Sequence, residues 1–366
     1  MSQLTIANAI VKHERVRVDD VVKTSFGEMQ ERYAVLLILE DESGRRGVGE
    51  SWVNFPLWAA WERVACFKYG FIPYLRGRRV DSISELVMEM YQDFVGPARQ
   101  SATTGPLVQA LCAVELALWD LQAQQQGVPL AYCLFDQPAS AVRVYASGIN
   151  SPIPWDLIDD HLNQGITLFK LKLGFGDDED RRNLEELRSY LDGRASIAVD
   201  VNCGWSLREA QSWLPMLEAY NVKWIEEPLK ASDEIHLAEL KTMTSTPIAG
   251  GENLPIIPNS DVESILNEPF DILQPDLTKN APLHIARQLL RPGKPSMKRI
   301  IPHFLGSAPG QAASLHFAAG CPDNLVEMDI NHNPLRSDLF TDPIQVVDGE
   351  IAIPSQPGLG WQLRYE

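Results

Sequence analysis

Seven ionisable residues recur at a nearly constant interval: Lys172, Asp200, Glu226, Glu252, Asp276, His303 and Glu327. The steps between them are 28, 26, 26, 24, 27 and 24 residues. Each closes a short apolar run. One acid after such a run means little, because acids cap helices and coat surfaces. Seven in phase predict one structural unit per step, with the ionisable groups gathered on one rim.

Asp200, Glu226 and Glu252 follow three consecutive runs. Three carboxylates meeting at one place repel each other unless a cation sits among them. Hard oxygen donors of this kind suit Mg²⁺ with positions open to water or substrate. Asn202 lies two residues beyond Asp200 on the same face, where it can orient a ligand or touch the metal site. Lys170 and Lys172 also share a face, since side chains on a strand alternate. Two close ammonium groups lower each other's pKa, which would favour one neutral amine as a base and leave the other to bind a carboxylate. Asp276 can hold one nitrogen of His303 and leave the other facing substrate. Glu327 can share a hydrogen bond with a substrate carboxylate oxygen.

Together these groups suit one opening step. A proton on the carbon next to a carboxylate is a very weak acid, because its loss leaves two negative charges on an enediolate. A metal and ammonium groups at the carboxylate lower that cost. A base must face the carbon. A second acid can then return a proton with inversion, or protonate a departing β-hydroxyl. The same parts can open or close a lactone.

The elements that must carry these residues are readable too. From about Ala141, eight apolar runs alternate with helix-length connectors: VRVYASG, LFKLKLG, SIAVDVN, VKWIEEP, TPIAGGEN, FDILQPD, RIIPHF and NLVEMD. Repeated strand–helix units imply a parallel sheet, and eight imply closure into a barrel. Residues 1–135 read differently. Ala34–Leu39 and Arg46–Glu50 flank a turn at Asp41–Gly44, which predicts a hairpin. Helical patterns follow over Ser84–Phe94 and Gly105–Gln124, the second stopping at Gly127 and Pro129. The expected division is an α+β domain over 1–135, the barrel over 136–344, and a segment over 345–366. That last segment holds a hairpin signal at Asp348–Gly349 and is expected to pack back on the first domain.

Bulk properties exclude other classes. The 366 residues are 45% hydrophobic and 22% charged, an ordinary globular balance. The net charge of −17 opposes binding to nucleic acid or anionic membranes. An anionic substrate must therefore meet local cations. Cys66, Cys112, Cys133, Cys203 and Cys321 are scattered, odd in number and form no CxxC pair, which suits reduced thiols and a cytoplasmic location. No signal peptide or membrane span is expected.

The residues above, in this order, resemble the mandelate racemase subgroup of the enolase superfamily. The matching segments are FKLKLGF, VDVNCGW, WIEEPL, GGEN, DILQPDLTK, IPHF and EMD, and AVELALWDL resembles the helix that precedes the superfamily's barrel. The resemblance implies a modified TIM barrel, (β/α)₇β, with an N-terminal α+β capping domain and one essential Mg²⁺. It implies Asp200, Glu226 and Glu252 as metal ligands. It makes Lys172 one base, Lys170 the carboxylate support, His303 with Asp276 the opposing acid/base pair, and Glu327 the hydrogen-bond partner of the substrate carboxylate. It also implies a small-molecule carboxylate substrate and a homo-oligomer, dimeric or octameric.

The stretch NHNPLRSDLF with GEIAIPSQPGLGWQL is similar to acid-sugar members, including galactarolactone cycloisomerases and sugar-acid dehydratases. The expected reaction is dehydration of an aldonate or aldarate to a 2-keto-3-deoxy acid. Lactone cycloisomerisation and racemisation or epimerisation of a 2-hydroxy acid are the alternatives, and a non-catalytic binding barrel is a reading from another class. The chain departs from the common pattern at Asn280–Ala281–Pro282, where many members carry a glycine pair, and in the compact connector Arg291–Lys298. Substrate choice in this family comes from capping-domain loops, here about 19–32 and 50–61. Lys23, Ser25 and Arg32 are the polar candidates of the first; Trp52 and Phe55, with Trp58 and Trp61, are the aromatic candidates of the second.

Overall fold

The computed structural model describes residues 4–24, 27–230, 233–290 and 298–364. Ser25 and residues 291–297 therefore lie outside the described residues.

Four strands form an antiparallel sheet in the order β3-β2-β1-β4: β1 (Leu4–Thr24), β2 (Gly27–Asp41), β3 (Arg46–Ser51) and β4 (Arg79–Val80). The described residues of the expected loop, 19–24 and 27–32, are instead the far end of the β1–β2 ribbon, with Val22 opposite Met29 and Lys23 opposite Glu28. Val22 and Met29 are buried, so this end has an apolar face that holds it extended.

Helices Ile83–Gln100 and Thr104–Gln126 cover this sheet. The second ends at Gly127 in the left-handed region at φ 71°, as a glycine C-cap does. It lies directly on β3. A Cβ on Gly47 would stand 2.1 Å from the Ala117 carbonyl oxygen, and one on Gly49 would stand 1.8 Å from that of Ala113. The two glycines of RGVGE are thus required by close backbone approach.

Eight parallel strands follow, one for each apolar run: β5 (Ala141–Ile149), β6 (Leu168–Lys172), β7 (Ser196–Asp200), β8 (Ile225–Glu226), β9 (Ile248–Gly250), β10 (Ile272–Leu273), β11 (Arg299–Ile300) and β12 (Leu325–Asp329). Their order is β11-β10-β9-β8-β7-β6-β5-β12. Among the described residues no ladder joins β11 to β12. That side is closed by contacts such as the Phe304 amide donating to Glu327 Oε2 at 3.3 Å.

Strand alternation places the chemistry. Ala198, Trp224, Ile272, Ile301 and Leu325 pack with Tyr145 in a small apolar cluster inside the barrel. Two residues further along those runs come Asp200, Glu226, Gln274, His303 and Glu327, so the polar layer stands directly on the apolar one. Intervening residues such as Phe169, Val199, Ile225 and Val326 join the larger core outside the ring. At β9 the step from Ala249 to Glu252 is three residues. Gly251, at φ 135°, makes the extra turn where a side chain would be strained.

The hairpin signal at Asp348–Gly349 is met by a tight turn, across which Val347 and Glu350 exchange backbone hydrogen bonds at 2.8 and 3.0 Å. Asp348 and Gly349 take positive φ, and β13 (Glu350–Ala352) returns onto β5 in antiparallel register, Ile351 opposite Val142. Further on, Gly358 exchanges backbone bonds with Val128 and Leu130, and Leu359 N donates to Asp120 Oδ1 at 2.8 Å. The five cysteines are free thiols. No helix among the described residues is long and apolar enough to cross a membrane.

His316 ties three parts of the chain together. Its Nδ1 accepts from the Ala131 amide at 3.0 Å, which leaves Nε2–H to donate to the Leu359 carbonyl at 3.0 Å. Burial pushes this imidazole down to about 4, against the smaller opposing effect of the Leu359 carbonyl. The unfolded chain holds its histidines near 6.5, so between pH 4 and 6.5 it binds the extra proton. Stability from this group is therefore complete above pH 6.5 and is lost as pH falls toward 4, by about 3 kcal/mol. Urea unfolding of His316→Gln between pH 7.5 and 4 should show that much less acid sensitivity than the parent. Equal slopes for the two proteins would refute the assignment.

Candidate active site

The residues picked out by their interval come together at one end of the barrel in a continuous hydrogen-bonded network, all of them buried. Lys170 Nζ stands 2.5 Å from Glu226 Oε1, 2.8 Å from Glu327 Oε1 and 3.5 Å from Asp200 Oδ2. Lys172 Nζ donates to Asp200 Oδ2 at 2.5 Å and to Asn202 Oδ1 at 2.8 Å. Asn202 in turn donates its amide to Asp200 Oδ1 at 2.9 Å. His303 Nδ1 faces Asp276 Oδ2 at 2.8 Å, its Nε2 contacts Glu252 Oε2, and Glu327 Oε2 is 3.7 Å from that same nitrogen.

Supporting bonds orient these groups. Glu226 Oε2 accepts from Gln274 Nε2 at 2.7 Å and from Trp224 Nε1 at 3.1 Å. Asp276 Oδ1 accepts from both the amide and the hydroxyl of Thr278 at 2.7 Å. Asn202 and Glu227 have positive φ of 46° and 41° at the ends of adjacent runs. Such backbone strain is held only where surroundings enforce it, and it concentrates at functional sites.

Electrostatics correct one expectation. Lys170 does lower Lys172, but the net shift of both lysines is upward. Burial works against their charge, but Glu226 and Glu327 at Lys170, and Asp200 at Lys172, raise both above the ordinary lysine value. Attraction wins because carboxylates outnumber ammonium groups here. Burial likewise opposes the imidazolium of His303, and Glu252 and Glu327 outweigh it and raise the group well above the ordinary range. Burial lifts Glu226 to about 7 even with Lys170 against it. Glu252 goes the other way: His303 and Lys279 overcome its burial and hold it well below the usual carboxylate range.

A hard divalent cation fits this donor set. Asp200, Glu226 and Glu252 offer only oxygen, the donor a hard divalent cation prefers. Among the described residues, no three His, Cys, Asp or Glu side chains converge closely enough to hold an ion as they stand. Lys170 lies between Asp200 and Glu226, and His303 draws Glu252 aside. A cation held by the three acids would thus compete directly with Lys172 and His303 for their partners.

Two neighbours escaped attention in the sequence. Glu227, the second acid of IEEP, accepts from Asn253 Nδ2 at 3.0 and 2.9 Å, and burial with the Glu252 charge lifts it to about 8. Strand alternation alone would have turned it outward; its positive φ brings it to the rim. Lys279 donates to Asn253 Oδ1 at 2.8 Å, lies 3.6 Å from Glu252 Oε1 and sits 4.8 Å above the Trp52 ring. The signal for it was its place inside DILQPDLTK.

The capping residues divide. Trp52 reaches the network through Lys279. Phe55 lies 6.5 Å from Trp52 and against Gly27 of the ribbon. Lys23 is not in the network. It lines a cavity of about 660 Å³ with Asn150, Ser151 and Asn331 beyond β5 and β12. Arg32 is no open ligand contact: it is buried and bonds Asp329 Oδ2 at 3.2 Å. Trp58 and Trp61 are exposed, and Trp61 packs edge-on against His13 of β1.

Residues 6–134 match the mandelate racemase / muconate lactonizing enzyme N-terminal domain family, and residues 156–366 match the enolase C-terminal domain-like family. A mandelate racemase/muconate lactonizing enzyme of known structure from Bordetella bronchiseptica RB50 is 32% identical, with a TM-score of 0.88 over 99% of this chain and 97% of that one. L-Talarate dehydratase from Polaromonas sp. JS666, solved in complex with Mg and L-glucarate, is 26% identical, with a TM-score of 0.83 over 99% and 96%. D-Galactarolactone cycloisomerase of Agrobacterium fabrum (strain C58) is 27% identical over 282 residues, 73% of this chain and 74% of that protein.

Proposed function

Because the chain belongs to the mandelate racemase/muconate lactonizing enzyme family of the enolase superfamily, we propose that it is a Mg²⁺-dependent acid-sugar dehydratase. It would remove the proton next to the carboxylate of an aldonate or aldarate and release a 2-keto-3-deoxy acid. One observation carries this reading: two proton-transfer arms, Lys172 and the His303–Asp276 pair, flank the carboxylate row Asp200, Glu226 and Glu252.

Asp200, Glu226 and Glu252 would hold Mg²⁺, which when bound offsets negative charge developing on the substrate carboxylate. Lys172, once neutral, takes the α-proton as the Cα–H bond breaks. Its loss of a proton is favoured when Asp200 is engaged elsewhere, since Asp200 is what holds the ammonium form. Lys170, with Glu327 beside it, faces the substrate carboxylate. His303, its imidazolium held through Nδ1 by Asp276, gives the Nε2 proton to the β-hydroxyl. That group leaves as water, and the resulting enol becomes the keto acid. Asn202 keeps Lys172 and Asp200 in register. Lys23, Trp52 and Phe55 would bound the far end of the substrate. The division into a capping domain (1–135), a catalytic barrel (136–344) and a returning tail (345–366) belongs to the same proposal.

The Agrobacterium relative supports a second reading, cycloisomerisation of a sugar-acid lactone. The test is a panel of aldonic and aldaric acids and their lactones, incubated with Mg²⁺ in D₂O. A 2-keto product is expected. Lactone conversion without keto acid would favour the cycloisomerase. Deuterium at the α-carbon without either product would favour a racemase or epimerase. No exchange with any acid would remove the family of reactions altogether.

A further inference from the structure

The segment leaving β3 grips both loops that carry the imidazole–carboxylate pair. Glu50 reaches into the barrel, where its carboxylate accepts from the Ser307 amide at 2.8 Å, the Ser307 hydroxyl at 2.6 Å and the Gly310 amide at 2.8 Å. Trp52 donates its amide to the Thr278 carbonyl at 3.0 Å. Asn54 donates its side-chain amide to the Leu305 carbonyl at 2.7 Å. Ser307 and Leu305 sit within four residues of His303, and Thr278 is the residue whose amide and hydroxyl hold Asp276.

These contacts are made across the domains rather than within the sheet that supplies them. Glu50 is 2% exposed, and a buried carboxylate is costly unless hydrogen bonds compensate. All three of its bonds go to the loop after His303 and to the first turn of helix Ala308–Ala318. The packing there is tight on both sides: a Cβ on Gly306 would lie 2.6 Å from Glu50 Oε1, and one on Gly310 would lie 2.7 Å from Oε2. A simple helix cap would not need Trp52 and Asn54 to hold the Asp276 and His303 loops as well.

We propose that Glu50, assisted by the Trp52 amide and Asn54, is a positioning residue that sets the place of the His303 imidazole and its Asp276 partner. The capping domain thereby tunes one arm of the reaction, the proton donor, without touching substrate. This rests on the reading of His303 and Lys172 as separate arms. A misplacement of about 1 Å at a reacting group can cost about 100-fold, so the effect of releasing this loop should be measurable.

The experiment uses the full-length, Mg²⁺-loaded protein and an acid turned over by the parent. Glu50→Ala should lower keto-acid formation about 10- to 100-fold while α-proton exchange with D₂O, which needs Lys172, stays within about threefold. Glu50→Gln keeps one acceptor and should recover part of the loss. Equal falls in both rates in a folded variant, or no fall in either, would overturn the proposal. Should Glu50→Ala fail to fold, Glu50→Gln and Asn54→Ala carry the same comparison. A second readout needs no turnover: in protein labelled with ¹⁵N-histidine, the His303 ring signals should shift in Glu50→Gln. Unchanged ring signals would refute the clamp even if every acid proved inert, a result that would instead count against the proposed reaction.

Discussion

Lys172→Ala should abolish α-proton exchange, with a loss of about 10³-fold or more, while the protein remains folded. Lys172 bonds Asp200 and Asn202, whereas Lys170 is bonded to Glu226 and Glu327 and lies within 3.5 Å of Asp200. Lys170 is therefore too firmly held as an ammonium ion to replace it. His303→Asn should behave differently. It removes the proton donor but not the base, so keto-acid formation should fall by a similar factor while exchange persists. Deuterium incorporation followed by NMR, beside keto-acid assay, separates the two variants. Exchange surviving in Lys172→Ala and vanishing in His303→Asn would reverse the roles of the arms. Exchange surviving in both would remove the site from the chemistry.

Stripping Mg²⁺ with EDTA should stop turnover by a comparable factor, and Mg²⁺ should restore it. Asp200→Asn should make the loss permanent. Asp200 and Glu252, two of the three acids that would hold the ion, are also the partners of Lys172 and His303, so the ion would share its ligands with both arms. Thermal unfolding offers a measure independent of activity. At an ion concentration 100 times its dissociation constant the folded state gains about 2.7 kcal/mol, a shift of several degrees. Asp200→Asn should lose that shift. An unchanged Mg²⁺ response in the variant would place the ion elsewhere and undo the assignment of Asp200, Glu226 and Glu252.

The barrel and its polar rim were legible before any coordinates because both rest on periodicity. An interval near 26 residues marks one strand–helix unit, and a step of two marks one face of a strand. Those two rules suffice to gather Lys170, Lys172, Asp200, Asn202, Glu226, Glu252, Asp276, His303 and Glu327 on one rim; the extra turn at Gly251 that delivers Glu252 was not foreseen. Residues that break the rules were missed. Glu227 reaches the rim only through a left-handed backbone that no alternation predicts. The ribbon over 19–32 read as a loop because polar residues mask the buried pair Val22 and Met29.

By itself, then, the sequence determined the unit, its repeat and the residues that face inward, since local periods encode faces. Partnership between the sheet and the barrel was decided by the tertiary structure alone. Glu50 meets Ser307 across 257 residues and Arg32 meets Asp329 across 297, pairings that exist only once the sheet and the barrel are seated on each other. The same holds for the protonation of Lys172 and His303. Charge state depends on how many carboxylates closure brings within a few ångströms, a sum over neighbours distant in the chain.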